Sequence, residues 1–119
     1  KIWCSAITPF FHNWAWNVHR SVIHTFWNDI PDDTQVLLTH GPAYGILDLV
    51  NDNYDRDSHQ GCESLLLKIK QLTELKLHIF GHLHLNGGKQ IVVDNKIFAN
   101  AAICDDYYNV VNDPIIIDL

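Results

Sequence analysis

The chain has 119 residues, of which 47% are hydrophobic and 18% charged, a composition typical of one folded domain, or part of one, and not of a disordered segment. Its net charge of −6, with no local basic stripe, excludes nucleic acid or an anionic membrane as a partner held by bulk electrostatics. No apolar run reaches about 18 residues, so the sequence predicts no membrane span.

The cysteine and methionine usage predicts a cellular setting and a fragment. Cys4, Cys62 and Cys104 are odd in number, far apart and without metal-type spacing. They are typical of reduced, mostly buried thiols in a cytosolic protein rather than of a disulfide framework. The chain contains no methionine and opens directly on a strand-like run, KIWCSA. We therefore expect an internal or C-terminal piece of a longer protein.

The first predicted elements are a strand over residues 2–6 and an aromatic-rich loop over 8–17. Apolar residues at helical spacing predict a helix over 19–29. The run 34–40 is apolar, has the length of a strand and is broken by a Gly-Pro pair. Residues 43–57 are rich in Asp and Asn and predict an irregular, solvated surface loop.

A second helix is predicted over 60–73, where leucines and isoleucines recur on one face. Asp57 or Ser58 is the expected N-cap, because short polar side chains accept bonds from the first free N–H groups of a helix. A buried strand over 75–80 follows and ends at a glycine.

The last predicted elements are a β-hairpin over 89–102, with its turn at 94–95, and a further strand over 114–119. Helices that alternate with buried strands indicate an α/β fold with an antiparallel hairpin attached.

Three histidines carry the chemical signal of the sequence. His40 ends the apolar run VLLTH, while His82 and His84 follow the strand that ends in IFG. Side chains at i and i+2 of an extended chain point to the same side, so His82 and His84 can serve one metal ion or two neighbouring ions. Neutral imidazole binds Zn, Fe and Mn. The alternative is that these are ordinary polar residues at the ends of half-buried strands.

The segments THGP and GHLH, residues 39–42 and 81–84, resemble the last two motifs of the calcineurin-like metallophosphoesterases. Other segments, among them IPDDTQVLLTHGPAYGILD, FANAA and NDPIIIDL, resemble the brain-type metallophosphoesterase-domain subfamily, and the likeness covers the whole chain. The family's first three motifs, which are Asp-x-His, Gly-Asp, and Gly-Asn-His or a variant, are absent. The resemblance therefore implies a partial domain over 1–119, the C-terminal half of a four-layer α/β/β/α sandwich.

The resemblance also implies a binuclear centre and a reaction. His40 and His82 would bind one divalent ion and His84 the other, the ions being Mn, Fe or Zn. The activity would be phosphoester hydrolysis of the phosphodiesterase type, on a small, nucleotide-like substrate. A missing N-terminal half would supply the remaining ligands, so the isolated chain would be inactive. The alternative is a non-catalytic binding or interaction module, with or without one structural zinc.

The remaining candidate residues have sequence signals that are less specific than those of the three histidines. His59 precedes the second predicted helix near the expected mouth of the site and could contact substrate, although a surface or capping role is favoured. Asn100, in FANAA, is expected to support the ligands, and His78 to be a packed or hydrogen-bonded strand residue. The aromatic cluster of Phe10, Phe11, Trp14 and Trp16 favours packing within the loop over a platform for base stacking.

Overall fold

A computed structural model describes residues 1–50 and 58–119. In chain order, its elements are β1 (Ile2–Ser5), β2 (Thr8–Pro9), β3 (Asn17–Val18), α1 (His24–Trp27), β4 (Val36–Thr39), β5 (Leu49–Val50), β6 (Ser58–His59), α2 (Glu63–Gln71), β7 (Leu77–Phe80), β8 (Gln90–Val93) and β9 (Lys96–Asn100).

A five-stranded mixed sheet in the order β1-β4-β7-β9-β8 organises the fold. The first four strands in this order are parallel, and β8 joins β9 as an antiparallel hairpin. The hairpin turns at Asp94 and Asn95, whose φ angles of 49° and 59° are those of a two-residue turn that matches the twist of the strands. The predicted α/β class and the predicted hairpin are confirmed.

One face of the sheet carries the hydrophobic core. Leu37 and Phe98 lie in one row across this face, on either side of His78, and are buried in the core. The helix α2 contributes Leu65 and Ile69, and α1 contributes Trp27, whose indole N–H donates to the Cys62 sulfur over 3.3 Å. The core thus fixes the strands from which the histidine loops start.

The opposite face of the same sheet is partly open. Successive strand residues point to opposite faces, so Ile2, Leu38 and Val92 lie together on the side away from the helices. Their exposed fractions are 66%, 36% and 69%. A parallel sheet is normally covered on both faces, and the residues that the structure describes cover this face only in part.

Both predicted helices are shorter in the structure than in the sequence pattern. Turns occupy the first residues of 19–29, where the His19 ring bonds the Ser21 hydroxyl at 2.8 Å, and α1 is a single turn. The helix α2 begins at Glu63, not at 60. Ser58 is not its N-cap because it pairs in β6, and Asp57 lies outside the described residues.

The strand predicted over 114–119 is also wrong. Residues 101–119 contain one isolated bridge, between Cys104 and Val110, and no extended ladder. An apolar run becomes a strand only where a neighbouring strand offers free backbone groups, and none pairs with this run in the described chain. None of the described helices has both the length and the apolar character needed to cross a membrane.

The prediction of free, mostly buried cysteines is confirmed in its first part only. All three thiols are free, as expected. Cys62 is buried, whereas Cys4 is exposed on the open sheet face and Cys104 is partly exposed.

Candidate metal centre

The three histidines lie where β4 and β7 end. His40 follows β4 directly, His82 comes shortly after β7, and His84 opens a short 3-10 turn, His84–Asn86. Neighbouring parallel strands end at the same edge of a sheet, which brings together residues that are distant in sequence. The rings of His40 and His82 have centroids 4.5 Å apart.

Backbone contacts hold the two histidine loops together. The Gly81 N–H donates to the His40 carbonyl over 3.0 Å, and the Leu83 N–H donates to the Gly81 carbonyl over 2.8 Å in a tight turn. Gly41 allows close approach, since a Cβ there would lie 3.3 Å from the Thr8 hydroxyl and 3.7 Å from the His82 ring. Gly41 therefore leaves room for the His82 ring, and the Gly81 N–H ties the two loops together.

His82 has an uncommon backbone conformation. Its φ of 68° lies in the left-handed region, which is uncommon for residues other than Gly, although Asn, Asp and His adopt it more often than the rest. Strained residues of this kind persist only where the surroundings fix them, and they cluster at functional sites. With this backbone conformation the His82 ring lies 4.5 Å from the His40 ring, at an interplanar angle of 38°.

Burial keeps two of the imidazoles neutral. It lowers the pKa of His82 to about 4, with further contributions from the nearby His40 and His84 rings. Burial also lowers the pKa of His40. Both rings are therefore unprotonated at neutral pH, and their lone pairs are free for a metal ion without competition from a proton.

A carboxylate lies beside one of the two ring nitrogens of His84. The Asp106 carboxylate lies 3.4 Å from Nδ1 of His84. Metal-binding histidines commonly present one nitrogen to the ion and the other to a carboxylate or carbonyl. If His84 binds a metal ion in this orientation, Nδ1 faces Asp106 and Nε2 faces the ion.

The residues present fit part of a metal shell. Among residues 1–50 and 58–119, no three His, Cys, Asp or Glu side chains form a group close enough to hold an ion. The structure joins His40 to His82, and it places His84 beside His82 in the wall of one cavity. Paired imidazoles suit a borderline ion such as zinc, and two such donors are only part of a metal shell.

Asn100 fastens the loop between the two later histidines. Its side chain is buried, donates from Nδ2 to the Leu83 carbonyl over 2.8 Å and accepts the Ala102 N–H over 3.0 Å. Since Leu83 separates His82 from His84, Asn100 contacts the backbone that carries both rings. Its supporting role toward a metal stays a prediction.

His78 is hydrogen bonded within the strands, as predicted. Its Nε2 lies 2.8 Å from the Thr39 hydroxyl, which in turn donates to the Gly41 carbonyl over 2.7 Å. Because the hydroxyl has one hydrogen and gives it to Gly41, Nε2 of His78 must be the donor in their shared bond. Nδ1 of this buried ring has no partner among the described residues.

Sequence reasoning missed a buried carboxylate near the site. Asp48 was predicted in a solvated loop, but its side chain is 1% exposed and accepts the N–H groups of Gly45 and Gly61, each over 2.9 Å. It also lies 2.6 Å from Nδ1 of His59. His59 is in β6 rather than at the start of a helix, and its contact with substrate stays a prediction.

The aromatic loop surrounds a cavity next to the histidines. A space of about 730 Å³ is lined by residues from the aromatic loop, the histidine loops and the segment near Tyr108. Phe11 and Trp14 belong to its wall, and the Phe11 ring meets the His82 ring edge to face at 5.7 Å. Trp14 and Trp16 are 57% and 67% exposed, so the predicted burial of these indoles by loop packing is wrong.

Comparison with known proteins finds relatives that match this chain over all or nearly all of its own length. No protein-family model matches the chain. Metallophosphoesterase domain-containing protein 1 of Homo sapiens, like that of Mus musculus, is 36% identical over 121 residues, covering 100% of this chain and 36% of the relative. The UPF0046 protein T07D4.2 of Caenorhabditis elegans is 34% identical over 112 residues, 93% of this chain and 27% of that protein. One solved structure shows a TM-score of 0.49 at 20% identity, over 85% of this chain and 39% of the other, a likeness too distant for a conclusion.

A mixed α/β sheet with histidines at the carboxyl ends of its parallel strands defines a domain of the α/β class, in which ligand sites collect at that edge of the sheet. The relatives support a metallophosphoesterase-related family for the chain, as the THGP and GHLH segments predicted. It spans 36% of the length of the human and mouse relatives.

Proposed function

We propose that the chain is the C-terminal half of a four-layer α/β/β/α metallophosphoesterase domain, and that the complete protein hydrolyses small phosphodiesters with two divalent ions. The observation that carries the proposal is the paired His40 and His82, whose rings meet at 4.5 Å at the ends of two parallel strands. His84, with its Asp106 neighbour, is the third nitrogen donor.

The open face of the sheet supports the missing half. Exposed apolar side chains on this face are what a second sheet would cover in a sandwich. No group of three His, Cys, Asp or Glu side chains among the described residues could hold an ion, so the proposed centre needs ligands from outside them. The greater length of the relatives is consistent with this arrangement.

Each residue has a defined task in the proposed site. His40 and His82 hold one ion and Nε2 of His84 holds the other, Mn, Fe and Zn being the candidates. Bound ions of this kind neutralise a phosphate and activate water for attack on phosphorus. Burial lowers the pKa of both His40 and His82 and so favours their neutral, ligating forms, and Gly41 allows the His82 ring to approach.

The proposal extends to substrate and compartment. The substrate is a small phosphoester of the nucleotide type, small enough for a cavity of about 730 Å³. Three free thiols, two of them accessible, agree with a reducing cytosolic compartment.

The test uses the complete protein with its upstream residues, purified and loaded with Mn²⁺. Bis(p-nitrophenyl) phosphate hydrolysis and metal content by plasma mass spectrometry are measured together. We expect about two ions per chain. His82→Ala should weaken retention of one ion and reduce the rate at least about 100-fold, because a ligand to the reacting centre is lost.

The exposed His24 of α1 provides the matched control, and His24→Ala should leave both the metal content and the rate unchanged. One tightly held zinc without hydrolysis would support the binding-module alternative and overturn the proposal. Unchanged metal content in His82→Ala would refute the ligand assignment.

A further inference from the structure

We propose that Asp106 is the positioning residue of His84, and that the loop after β9 serves to hold its carboxylate beside the imidazole. The carboxylate keeps the ring proton on Nδ1, which leaves Nε2 unprotonated. This inference rests on the proposed function, in which His84 binds the second ion.

Residues 103–111 form a closed loop, called here the 103–111 loop. The Val111 N–H donates to the Ile103 carbonyl over 2.9 Å, and Cys104 and Val110 form an antiparallel bridge. The two arms of the loop are therefore tied together at its base, and the residues between them are presented as a tip.

Two adjacent aspartates at this tip make different contacts. The Asp105 carboxylate accepts the N–H groups of Tyr107 and Asn109, each over 2.9 Å. The Asp106 carboxylate instead lies 3.4 Å from Nδ1 of His84. Asp105 thus shapes the loop, and Asp106 is left to face the imidazole.

The tip contacts the His84 ring with a second side chain. The Tyr108 ring lies 5.8 Å from the His84 ring, edge to face at 80°. His84, Asp106 and Tyr108 all line the cavity beside the strand ends. A ligand whose orientation is fixed by such supporting contacts is ready for an ion before the ion arrives.

The loop is also fastened to the turn that carries His84. Asn112, which directly follows the loop, donates from Nδ2 to the Ala102 carbonyl over 3.0 Å. Gly87 closes the 3-10 turn by donating to the His84 carbonyl over 2.8 Å, and a Cβ on Gly87 would lie 2.7 Å from Nδ2 of Asn112. The loop and the turn therefore pack as one unit.

The alternative is that Asp106 makes only an ordinary surface ion pair. Its side chain is 67% exposed, and exposed ion pairs contribute little to folding stability. A pair of that kind would have no effect on metal binding, whereas loss of the partner of a metal-binding histidine weakens the metal. Stability and metal affinity therefore separate the two roles.

The test is a Zn²⁺ titration of the complete protein, with its upstream residues, against a chelating dye. Asp106→Ala should lower the affinity for one of two ions about 10- to 100-fold and leave the other ion unchanged. Asp106→Asn, which keeps an oxygen acceptor, should lose less. Asp113 is an exposed aspartate that follows the loop and has no ion pair with a histidine among the described residues, so Asp113→Ala is the matched control and should change neither affinity.

Urea unfolding of the metal-free variants shows whether the fold is affected. Asp106→Ala and Asp113→Ala should have the same free energy of unfolding, because both side chains are exposed. Equal loss of both ions together with a loss of stability in Asp106→Ala would show a merely structural role and overturn the proposal.

A further readout needs no metal. Nitrogen-15 NMR of the metal-free protein distinguishes a proton on Nδ1 of His84 from one on Nε2. The unsubstituted protein should carry it on Nδ1, and Asp106→Ala should lose this preference; an unchanged tautomer in Asp106→Ala would overturn the assignment. If the unsubstituted protein binds fewer than two Zn²⁺ ions, the proposed function fails, and the tautomer of His84 still decides the role of Asp106.

Discussion

Removal of one buried hydroxyl should weaken both the fold and the proposed site. In Thr39→Val the Gly41 carbonyl loses its donor and Nε2 of His78 loses its acceptor. Both groups are buried, and each buried polar group left without a partner costs about 1–3 kcal/mol. The expected fall in the free energy of unfolding is therefore about 2–5 kcal/mol, a large fraction of the roughly 5–15 kcal/mol of a typical domain.

The chain offers a matched control in Thr34. Its hydroxyl is equally buried but has no hydrogen-bond partner among the described residues. Thr34→Val removes a polar atom that gains nothing from burial, so it should be neutral or stabilising by about 1 kcal/mol. Two threonines changed to the same residue should thus differ in the sign or at least the size of their effect.

Urea unfolding of the complete protein, followed by linear extrapolation, gives the required free energies. Metal affinity is the second assay, because the Gly41 carbonyl follows His40 directly and loss of such a support costs about 10- to 100-fold in affinity. Equal destabilisation by Thr39→Val and Thr34→Val would refute the proposed role of the hydroxyl.

Two further predictions concern acid stability and backbone packing. Burial lowers the pKa of His78 to about 3 in the folded chain, below its ordinary value of 6.5, so the unfolded chain takes up this proton first. The contribution of His78 to stability is complete above pH 6.5 and is lost as the pH falls toward 3. His78→Gln, which does not titrate, should therefore reduce the drop in Tm between pH 7 and pH 4.5. An identical drop in the variant and the unsubstituted protein would contradict this account. Gly61→Ala should cost about 3 kcal/mol or more in urea unfolding, because its Cβ would lie 2.4 Å from the Ala43 carbonyl oxygen. Gly45→Ala, which meets no atom within 4 Å but has a φ of 76°, should cost only about 1–2 kcal/mol, and the reverse order would show that the close approach at Gly61 is not what restricts that position.

The features that local chemistry decides were predictable from the sequence. The hairpin follows from two short runs and an Asp-Asn turn that tolerates positive φ, and all of this information lies within a dozen residues. The histidines were predictable at the strand ends because apolar runs and glycines mark where strands end. The pairing of His40 with His82 follows once the two strands are taken as parallel neighbours.

The features that depend on distant partners were not predictable. Asp48 belongs to an acidic stretch that looks solvated, and its burial requires N–H groups from Gly45 and Gly61 and the ring of His59. The run 114–119 has the composition of a strand but no neighbouring strand to pair with in the described chain. Periodicity reports how a segment could be buried, and it does not report whether another segment is there to cover it.

The left-handed backbone of His82 has a consequence for substitution at this position. A glycine at this position would relieve a strain of about 1–2 kcal/mol, but it would lose about 0.5–1 kcal/mol through the greater freedom of the unfolded chain. The two contributions to folding stability are of similar size and opposite sign, so stability alone does not favour a histidine over a glycine at position 82. A glycine at position 82 should therefore leave the architecture intact while removing one of the proposed metal ligands.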